Sequence, residues 1–398
     1  MQKPKADSLP VAVLLTGLAG FGPVSTDLYL PSLPDMTRAF GTSVSMVQLT
    51  LSVFLIGFAC MQLVYGPLSD RFGRRPVLLG GVAIYVIASL LCMTASTIEL
   101  LVVGRFFQAV GAASGPVLSR AIVRDVYGRE RAAKVLSYMA SAMALAPAIG
   151  PIIGGVLHVA FGWQANFIAL TVFGSLLMLA TFLMLEETNP HLDAGAVSPT
   201  RLLGNFGKLL KNRLFIGYTL CVGMAFGGLF SFISGSSFVL IDVMGVKPEN
   251  FGFCFAAVVF GYMSGTFLSG RIHYIWSADK IIFIGALIGV VSGFALLDLS
   301  ALFPGKLLAV LIPMSFFFMA CGLIMPNGMA AAIGPHPQMA GTASSLLGFI
   351  QMGIGAFAGY MVGFFHNGTQ LPMVAIITLC GLLSLTTYIG FVKGSEEK

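Results

Sequence analysis

Charged residues are scarce in this sequence. Only 10% of its 398 residues are Asp, Glu, Lys or Arg, whereas 57% are hydrophobic. A soluble globular domain carries about 25% charged residues. Together with a mean hydropathy of +0.91, this composition excludes an ordinary soluble domain and indicates an integral membrane protein.

The sequence also lacks the short motifs of common enzyme and metal sites. It has no His-Glu-x-x-His, no Gly-x-Ser-x-Gly and no phosphate-binding P-loop, which argues against an enzyme and an ATP-driven pump. Its five histidines are scattered, and its six cysteines stand singly, without metal-ligand spacing. We therefore expect no catalytic residues, no metal and no cofactor. The net charge of +6 comes without a basic stripe, so we expect no nucleic-acid partner.

Long apolar runs dominate what is present. A bilayer core needs about 20 apolar residues per helix. The pattern therefore predicts an all-α membrane protein with twelve transmembrane spans, arranged as two bundles of six helices. The predicted spans are 10–31, 46–67, 76–95, 100–121, 134–158, 165–185, 213–235, 250–270, 279–299, 306–329, 340–364 and 371–392. The first run is too long for a signal peptide, so we interpret it as a span. We predict an N-terminal bundle over 1–186, a linker over 187–212 and a C-terminal bundle over 213–398.

The distribution of lysine and arginine predicts the orientation. Most of the 22 basic residues fall in the termini, the linker and alternate loops. The loops predicted on the other side hold only Arg38, Lys247 and Lys306. Since basic loops stay in the cytoplasm, both termini and the loop between spans 2 and 3 are expected there. In the linker, Ser198-Pro199 is typical of a helix start, and the residues after it are compatible with a surface helix or with a plain tether.

Two opposite charges are predicted within the N-terminal spans. Asp27 lies about 17 residues into span 1, roughly 26 Å along a straight helix, and Arg105 reaches a similar depth in span 4. Intramembrane charges are costly and commonly mark proton relays. We interpret the pair as lining a polar cavity; the alternative is a structural ion pair joining spans 1 and 4. Asp298, near the end of span 9, is a minor candidate.

Small residues and proline mark two further segments. The loop Gly66-Pro-Leu-Ser-Asp-Arg-Phe-Gly-Arg-Arg-Pro76 carries charges that a bilayer would not accept and therefore lies at the water interface. Span 5 contains Gly150-Pro151-Ile-Ile-Gly154-Gly155, where the proline bends the helix and the glycines permit close helix approach. A polar or aromatic set offers candidate cavity residues: Tyr29, Gln108, Phe226, Phe230, Tyr262, Asn327 and Gln351.

These segments resemble motifs of the major facilitator superfamily. More narrowly, the chain resembles its twelve-span drug:proton antiporters of the bicyclomycin/chloramphenicol-resistance (Bcr/CflA) group. The matching segments are Gly66 to Arg75 between spans 2 and 3, Arg105-Phe-Phe-Gln108-Ala-Val-Gly111 in span 4, Gly150 to Gly155 in span 5, and Ser25-Thr-Asp27-Leu-Tyr29-Leu-Pro31-Ser-Leu-Pro34 in span 1.

The resemblance implies roles for these residues. It implies proton coupling at Arg105, proton and drug exchange at Asp27, and antiport for the span 5 motif. It also implies a latch between the inner ends of spans 2 and 11 in an outward-open state. The residues of this latch are Gly66, Asp70, Arg71, Gly73, Arg74, Arg75 and Asp125. Val77 replaces a basic residue of the motif, the equivalent loop after Gly270 is degenerate, and a second span 1 acid is missing, which argues against divalent-cation export.

We therefore predict a monomeric, proton-coupled exporter of small apolar or amphipathic drugs in the bacterial inner membrane, working by alternating access. The alternatives are a carrier dedicated to one native solute, such as an amino acid or a sugar, and, more remotely, a membrane sensor that does not transport.

Overall fold

A computed structural model describes residues 8–189, 192–193, 195 and 199–393. Within these ranges all regular secondary structure is helical. The α-helices are Leu9–Ala19, Phe21–Asp27, Leu33–Ala39, Val44–Phe72, Arg74–Met93, Ile98–Ala112, Ser114–Met143, Ala146–Phe161, Gln164–Met184, Pro199–Lys211, Arg213–Ser237, Pro248–Ile272, Ala278–Leu302, Leu307–Ile333, Ala340–Phe364 and Leu371–Thr387. Short 3₁₀ or π-helical turns lie at Leu30–Ser32, Phe238–Val243, Pro337–Met339 and Tyr388–Lys393.

Among the described residues, eleven helices are long and apolar enough to cross a membrane. The pair Leu9–Ala19 and Phe21–Ala39 passes the same test together, with a bend of 48°. Counting that pair as one span gives the twelve that the sequence predicts, and we number them spans 1 to 12. Spans 1–6 form the N-terminal half and spans 7–12 the C-terminal half. The loop between spans 1 and 2 lies at one end of the bundle, which we call the 1–2 end. The loop between spans 2 and 3 lies at the opposite end, which we call the 2–3 end.

Polar side chains start several spans. The side chains of Ser43, Thr97, Asn212 and Ser277 each accept a hydrogen bond from the backbone N–H three residues later. Such caps satisfy N–H groups that have no partner within the helix. Spans 2, 4, 7 and 9 therefore begin where the sequence supplies a cap.

Span 1 departs from the prediction of one straight helix over 10–31. It breaks at Gly20 and again after Asp27. Pro23 has no N–H to bond to Ala19, and Pro31 and Pro34 remove two further donors, so the regular helix cannot continue through this stretch. Asp27 therefore ends a short helix that follows the 48° bend, and its depth in the bilayer stays a prediction.

The sequence also predicts that span 4 ends at 121 and that a loop leads to span 5 at 134, and this prediction is wrong. One helix, Ser114–Met143, runs through the predicted loop, because the segment is rich in Arg, Glu, Ala and Lys, which favour helix. Span 4 is instead interrupted at Ala113, and span 5 resumes at Ala146.

The linker contains the helix Pro199–Lys211. Ser198, its predicted cap, lies outside the described residues. Leu209 is fully buried while Leu210 is exposed, and the helix packs against spans 7 and 11. The segment is thus more than a plain tether, and its position on the membrane surface stays a prediction.

Candidate functional site

Arg105 of span 4 lies in the interior of the N-terminal half. Its side chain is fully buried, and its guanidinium carbon lies 4.5 Å from the ring centre of Tyr29 and 4.2 Å from that of Phe54. Aromatic faces attract a cation most strongly where water is excluded. Its Nε and Nη2 atoms have no hydrogen-bond partner. Two rings therefore contribute to holding a buried positive charge that is only partly hydrogen-bonded.

A closed ring of hydrogen bonds joins Arg105 to spans 1 and 3. Its Nη1 donates to the backbone oxygen of Ser25 over 3.0 Å and to Oε1 of Gln108. Gln108 donates to Oγ of Ser89 (2.7 Å), and Ser89 donates to the backbone oxygen of Tyr85 (2.7 Å). The hydroxyl groups of Tyr85 and Ser25 lie 2.8 Å apart and close the ring. Because every member is buried, the ring holds three spans in one arrangement.

Asp27 lies on span 1, close to Ser25, but faces span 5. Its side chain is only 2% exposed and accepts a hydrogen bond of 3.0 Å from the Thr26 hydroxyl. A Cβ added at Gly150 would lie 3.3 Å from Cβ of Asp27, and one at Gly154 would lie 1.6 Å from the backbone oxygen of Leu28. Gly154 must therefore lack a side chain for span 5 to pack on the Asp27–Leu28 backbone.

Asp27 and Arg105 do not form an ion pair among the described residues. Both are buried, and they belong to adjoining parts of one helix bundle. Arg105 bonds the backbone two residues before Asp27, whereas the Asp27 side chain packs on span 5. The alternative of a structural ion pair thus has no support in this arrangement, and the shared cavity stays a prediction.

The predicted cavity residues separate into two groups in the N- and C-terminal halves. Tyr29 and Gln108 join the Arg105 cluster, where the Tyr29 hydroxyl lies 2.9 Å from that of Thr50. Phe226 and Phe230 lie on one face of span 7, with ring centres 6.0 Å apart. A Cβ at Gly355 of span 11 would lie 2.5 Å from Phe226 and 3.3 Å from Leu55 of span 2. Phe226 therefore lies where the two halves meet.

Three further candidates lie in the C-terminal half. Gln351 is 5% exposed on span 11, and its backbone approaches Gly223 of span 7. Asn327 of span 10 donates to the Ser269 hydroxyl of span 8 over 2.6 Å. Tyr262 is partly buried on span 8, with its backbone oxygen close to Gly322. The hydrogen bond of Asn327 joins spans 8 and 10, which is a structural role. Neither Tyr262 nor Asn327 belongs to the Arg105 cluster.

The 2–3 end carries an ion-pair triad centred on Arg74. The Arg74 side chain contacts a carboxylate oxygen of Asp70 at 2.5 Å and one of Asp125 at 3.0 Å, and it also bonds the Ser69 hydroxyl. Spans 2, 3 and 4 are thereby connected. Among the described residues, none of the ion pairs and hydrogen bonds of this triad reaches span 11, the other side of the predicted latch. The latch to span 11 stays a prediction for another conformation.

Glu187, after span 6, completes this cluster. Its carboxylate accepts hydrogen bonds from the backbone N–H groups of Arg74, Arg75, Thr188 and Asn189. Burial raises the pKa of Glu187, but these N–H groups together hold the pKa below its ordinary value. A Cβ at Gly73 would lie 2.5 Å from Glu187, and Gly73 has φ +96°. The glycine is therefore required by its backbone conformation and by the close carboxylate.

The other loop residues have looser surroundings. Arg71 lies over the Phe72 ring at 5.0 Å, and Arg75 donates to the backbone oxygen of Phe182 over 3.0 Å. A Cβ at Gly66 would meet nothing within 4 Å. The predicted motif therefore divides into a tightly bonded part around Arg74 and a freer part at its edges.

The two halves meet closely at the 1–2 end. A Cβ at Gly252 of span 8 would lie 2.4 Å from the backbone nitrogen of Ile152 in span 5, and one at Gly155 would lie 2.6 Å from the backbone oxygen of Pro248. Gln48 of span 2 donates to the Ser234 backbone over 2.8 Å. Spans 5 and 8 therefore close this end by backbone-to-backbone packing.

Ion pairing adds to that closure. Arg38 lies 3.5 Å from Asp35 and 3.7 Å from Asp242 at the end of span 7. These side chains are at least two-fifths exposed, so the pairs contribute little energy. The backbone contacts of spans 5 and 8 dominate.

Several of these residues escaped prediction. Ser25 stood inside a recognised segment but had no assigned role, and Tyr85 and Ser89 form a polar pair at i, i+4 on an otherwise apolar span. That spacing was a usable indication of a polar face. Glu187 offered none, because its partners are backbone groups distant in sequence.

Among the described residues, eleven to twelve helices that can cross a membrane form two halves with buried charges, and the halves pack closely at the 1–2 end. This architecture is typical of a membrane carrier. The family model of the Major Facilitator Superfamily matches residues 14–360. The chain belongs to the Major Facilitator Superfamily; it is a multi-pass transporter of the bacterial inner membrane and not an enzyme.

Its relatives support the narrower resemblance to the Bcr/CflA group. The chain is 34% identical to the uncharacterized MFS-type transporter YdgK of Bacillus subtilis, covering 97% of this chain and 96% of YdgK. It is 32% identical to a bicyclomycin resistance protein homolog of Haemophilus influenzae, with 92% of each chain covered. It is 28% identical to multidrug resistance protein D of Escherichia coli, covering 95% and 94%.

Solved structures show the same fold. A bacterial homolog of the human lysosomal transporter Spinster, inward-facing and unoccupied, matches with a TM-score of 0.77 at 17% identity over 99% of both chains. The xylose transporter XylE from Escherichia coli, in a partially occluded inward open conformation, matches with a TM-score of 0.74 at 15% identity over 96% and 97%.

Proposed function

We propose that this transporter exports small apolar or amphipathic drug-like molecules from the cytoplasm in exchange for protons. The observation that carries the proposal is Asp27, a carboxyl group 2% exposed in the N-terminal half that has no basic partner among the described ion pairs. An intramembrane carboxyl without a fixed counterion can take up and release a proton as its surroundings change.

Arg105 has the role of a fixed positive charge beside this group. Its bonds to Ser25 and Gln108 hold the guanidinium in place, and Ser25 lies two residues from Asp27 on span 1. A change in Asp27 that moves this stretch of span 1 would reach the bond to Arg105 directly. The Nε and Nη2 atoms of Arg105 have no hydrogen-bond partner, so they can donate to new partners when span 1 moves.

Substrate binding is assigned to the surface where the halves meet. Phe226 lies there beside Leu55 and stacks on Phe230, and aromatic side chains with few polar groups suit apolar molecules of varied shape. Relatives named for resistance to bicyclomycin and to multiple drugs support this substrate class.

We infer the direction, export, from the resemblance of the span 5 segment Gly150 to Gly155 to the antiporter motif and from relatives named for drug resistance. The basic loops predict which end of the bundle faces the cytoplasm. The 2–3 end then faces the cytoplasm, and the packing of Gly252 on Ile152 closes the opposite end. A closed end on the outside is what we expect of a state that takes up substrate from the cytoplasm. One proton charge moved through 100 mV supplies about 2.3 kcal/mol, which supports a gradient of roughly 40-fold.

The test is Asp27→Asn in everted membrane vesicles. The variant should lose pH-driven drug uptake into the vesicles while its amount in the membrane and its thermal stability stay close to wild type. Glu99→Gln is the matched control, since Glu99 is an exposed acid at the start of span 4, and it should transport normally. Normal proton-driven transport by Asp27→Asn would refute the role of Asp27.

The same vesicles test the substrate class. A panel of unrelated drugs should be exported, each competing with the others. Export of one amino acid or sugar, with no drug transported, would favour the dedicated carrier instead.

A further inference from the structure

Two glutamines lie where the two halves of the transporter meet. Gln62 of span 2 is 9% exposed, and Gln351 of span 11 is 5% exposed. Within the described part of the chain neither side chain makes a hydrogen bond. Buried carboxamides are normally bonded, and the other buried glutamines each donate to another span: Gln48, Gln108 and Gln370. Gln62 and Gln351 therefore have donors and acceptors available to a ligand.

Gln62 lies on the face of span 2 that packs on span 11. A Cβ added at Gly348 of span 11 would clash with the Oε1 atom of Gln62. Leu55 stands seven residues earlier on span 2, and it lies 3.3 Å from a Cβ added at Gly355 of span 11. Seven residues make about two turns of a helix, so Gln62 and Leu55 share one face. Gln62 is therefore directed from the N-terminal half toward the C-terminal half.

Gln351 faces the gap between spans 2 and 7. On span 11, Gly348 faces Gln62 of span 2. Six residues later, Ile354 lies 2.6 Å from a Cβ added at Gly223 of span 7. Three residues turn a helix by about 300°, so Gln351, which is three residues from each, faces midway between these two directions. Gln351 lies roughly 4.5 Å along the span from Gly348, which places the two carboxamides at similar depth.

The surroundings of this glutamine pair are uncharged and partly aromatic. Phe226 of span 7 lies 2.5 Å from a Cβ added at Gly355 and stacks on Phe230. The charged residues of spans 2, 7 and 11 stand only near the span ends: Asp70, Arg71, Arg213 and Asp242. A charged ligand would find no counterion on these spans beside the pair, and an unpaired charge is costly inside a membrane. The ligand that fits is uncharged.

We propose that Gln62 and Gln351 together bind one uncharged substrate that carries an amide or a similar pair of hydrogen-bond donor and acceptor. A carboxamide can both donate and accept. The substrate N–H donates to one glutamine, and the substrate carbonyl oxygen accepts from the other. The apolar part of the substrate lies against Phe226. This role rests on the proposed function, in which substrate binds where the halves meet, and it adds the chemical class of the substrate.

Equilibrium binding to the purified full-length protein in nanodiscs tests this role. The probe is tritiated N-benzylbenzamide, an uncharged molecule with two aromatic rings and one amide. Dibenzylmethane has the same rings and a linker of the same length, without hydrogen-bonding groups. Gln62→Leu and Gln351→Leu should each bind N-benzylbenzamide about 3- to 10-fold more weakly, the loss expected from one hydrogen bond. Both variants should bind dibenzylmethane like wild type, which also shows that they are folded.

Gln370→Leu is the matched control. It removes a buried glutamine at the start of span 12 whose side chain donates to Ser300 of span 9, so it should bind N-benzylbenzamide like wild type. The proposal is overturned if wild type does not bind N-benzylbenzamide, or if either Gln62→Leu or Gln351→Leu binds it normally. An equal loss in Gln370→Leu, or a parallel loss of dibenzylmethane binding, would also overturn it.

The drug panel in everted vesicles separates this role from the proposed function. Drug export driven by pH, together with normal N-benzylbenzamide binding by the two leucine variants, would refute the role of the glutamines alone. Absence of any drug export by wild type would refute the proposed function itself.

Discussion

Replacing Gly252 by alanine should shift the transporter out of the conformation described above. Gly252 faces the backbone of span 5, and its added Cβ would lie 2.4 Å from the nitrogen and 2.5 Å from the Cα atom of Ile152. Backbone atoms in the middle of a helix cannot rotate away as a side chain can. Spans 5 and 8 must therefore separate for the variant to fit.

The size of the effect follows from the contact distance. Carbon atoms in contact sit about 3.5–4.0 Å apart, so the helices must part by roughly 1 Å at this point. Overpacking of this kind costs about 1–3 kcal/mol. Because the cost falls only on the state in which the 1–2 end is closed, the ratio of closed to open molecules should fall by about 5- to 150-fold.

Distances between spin labels at the 1–2 end measure that ratio. Labels on cysteines replacing Ser43 and Asn367, which are exposed in loops of opposite halves, would be introduced in a background without the native cysteines. Gly252→Ala should populate a longer distance and should slow drug export. Gly270→Ala is the control on the same span, since its Cβ would meet nothing within 4 Å.

An unchanged distance distribution in Gly252→Ala would refute this reasoning. It would mean that spans 5 and 8 are not as close in the membrane as described. The same shift in Gly270→Ala would show that any added methyl group on span 8 suffices, and the specific contact with Ile152 would be irrelevant.

The remaining predictions concern the two charged clusters. Gly73→Ala should lower stability by about 1–3 kcal/mol, because a residue with φ +96° is strained unless it is glycine; an unchanged melting temperature in detergent would contradict this. Glu187→Gln should lower the melting temperature at pH 7. Since the pKa of Glu187 is held below its ordinary value, the stabilisation is present above the unfolded-state pKa, near 4.3, and is lost as pH falls through the folded-state pKa, so the two melting temperatures should converge in acid and not in base. Arg105→Lys should insert normally yet lose at least about tenfold in proton-driven export, because a lysine has no planar guanidinium to lie against the rings of Tyr29 and Phe54; wild-type export rates would rule this out.

Sequence reasoning predicted the membrane helices well, because a run of about twenty apolar residues matches the thickness of the bilayer core and is typical of a membrane-spanning helix. It placed the ends of spans 2 to 12 within several residues in most cases. It was wrong about one straight helix over 10–31 and about a loop between spans 4 and 5. In the first case prolines interrupt the backbone hydrogen bonds, and in the second a charged segment stays helical. Both outcomes depend on local backbone geometry that hydropathy does not describe.

For the site, the sequence identified the charges but not their partners. Asp27 and Arg105 stand out because charge is rare in spans. Their actual neighbours, among them Ser25, Tyr85 and Phe54, are ordinary residues of a membrane helix. Asp27 follows Ser25 by two residues on the short helix Phe21–Asp27, and two residues of a helix place side chains on nearly opposite faces. Asp27 therefore packs on span 5, while Arg105 bonds the backbone at Ser25.

The sequence by itself determined that the protein lies in a membrane, how many spans it has and which family it resembles. These properties depend on composition and on short motifs, whose residues are adjacent along the chain. Only the tertiary structure decided how the charges are paired. It closed the ring through Arg105, placed Glu187 under the turn at Gly73 and brought Gly252 against Ile152. Each of these contacts joins segments far apart in the chain, and its geometry depends on how whole helices pack.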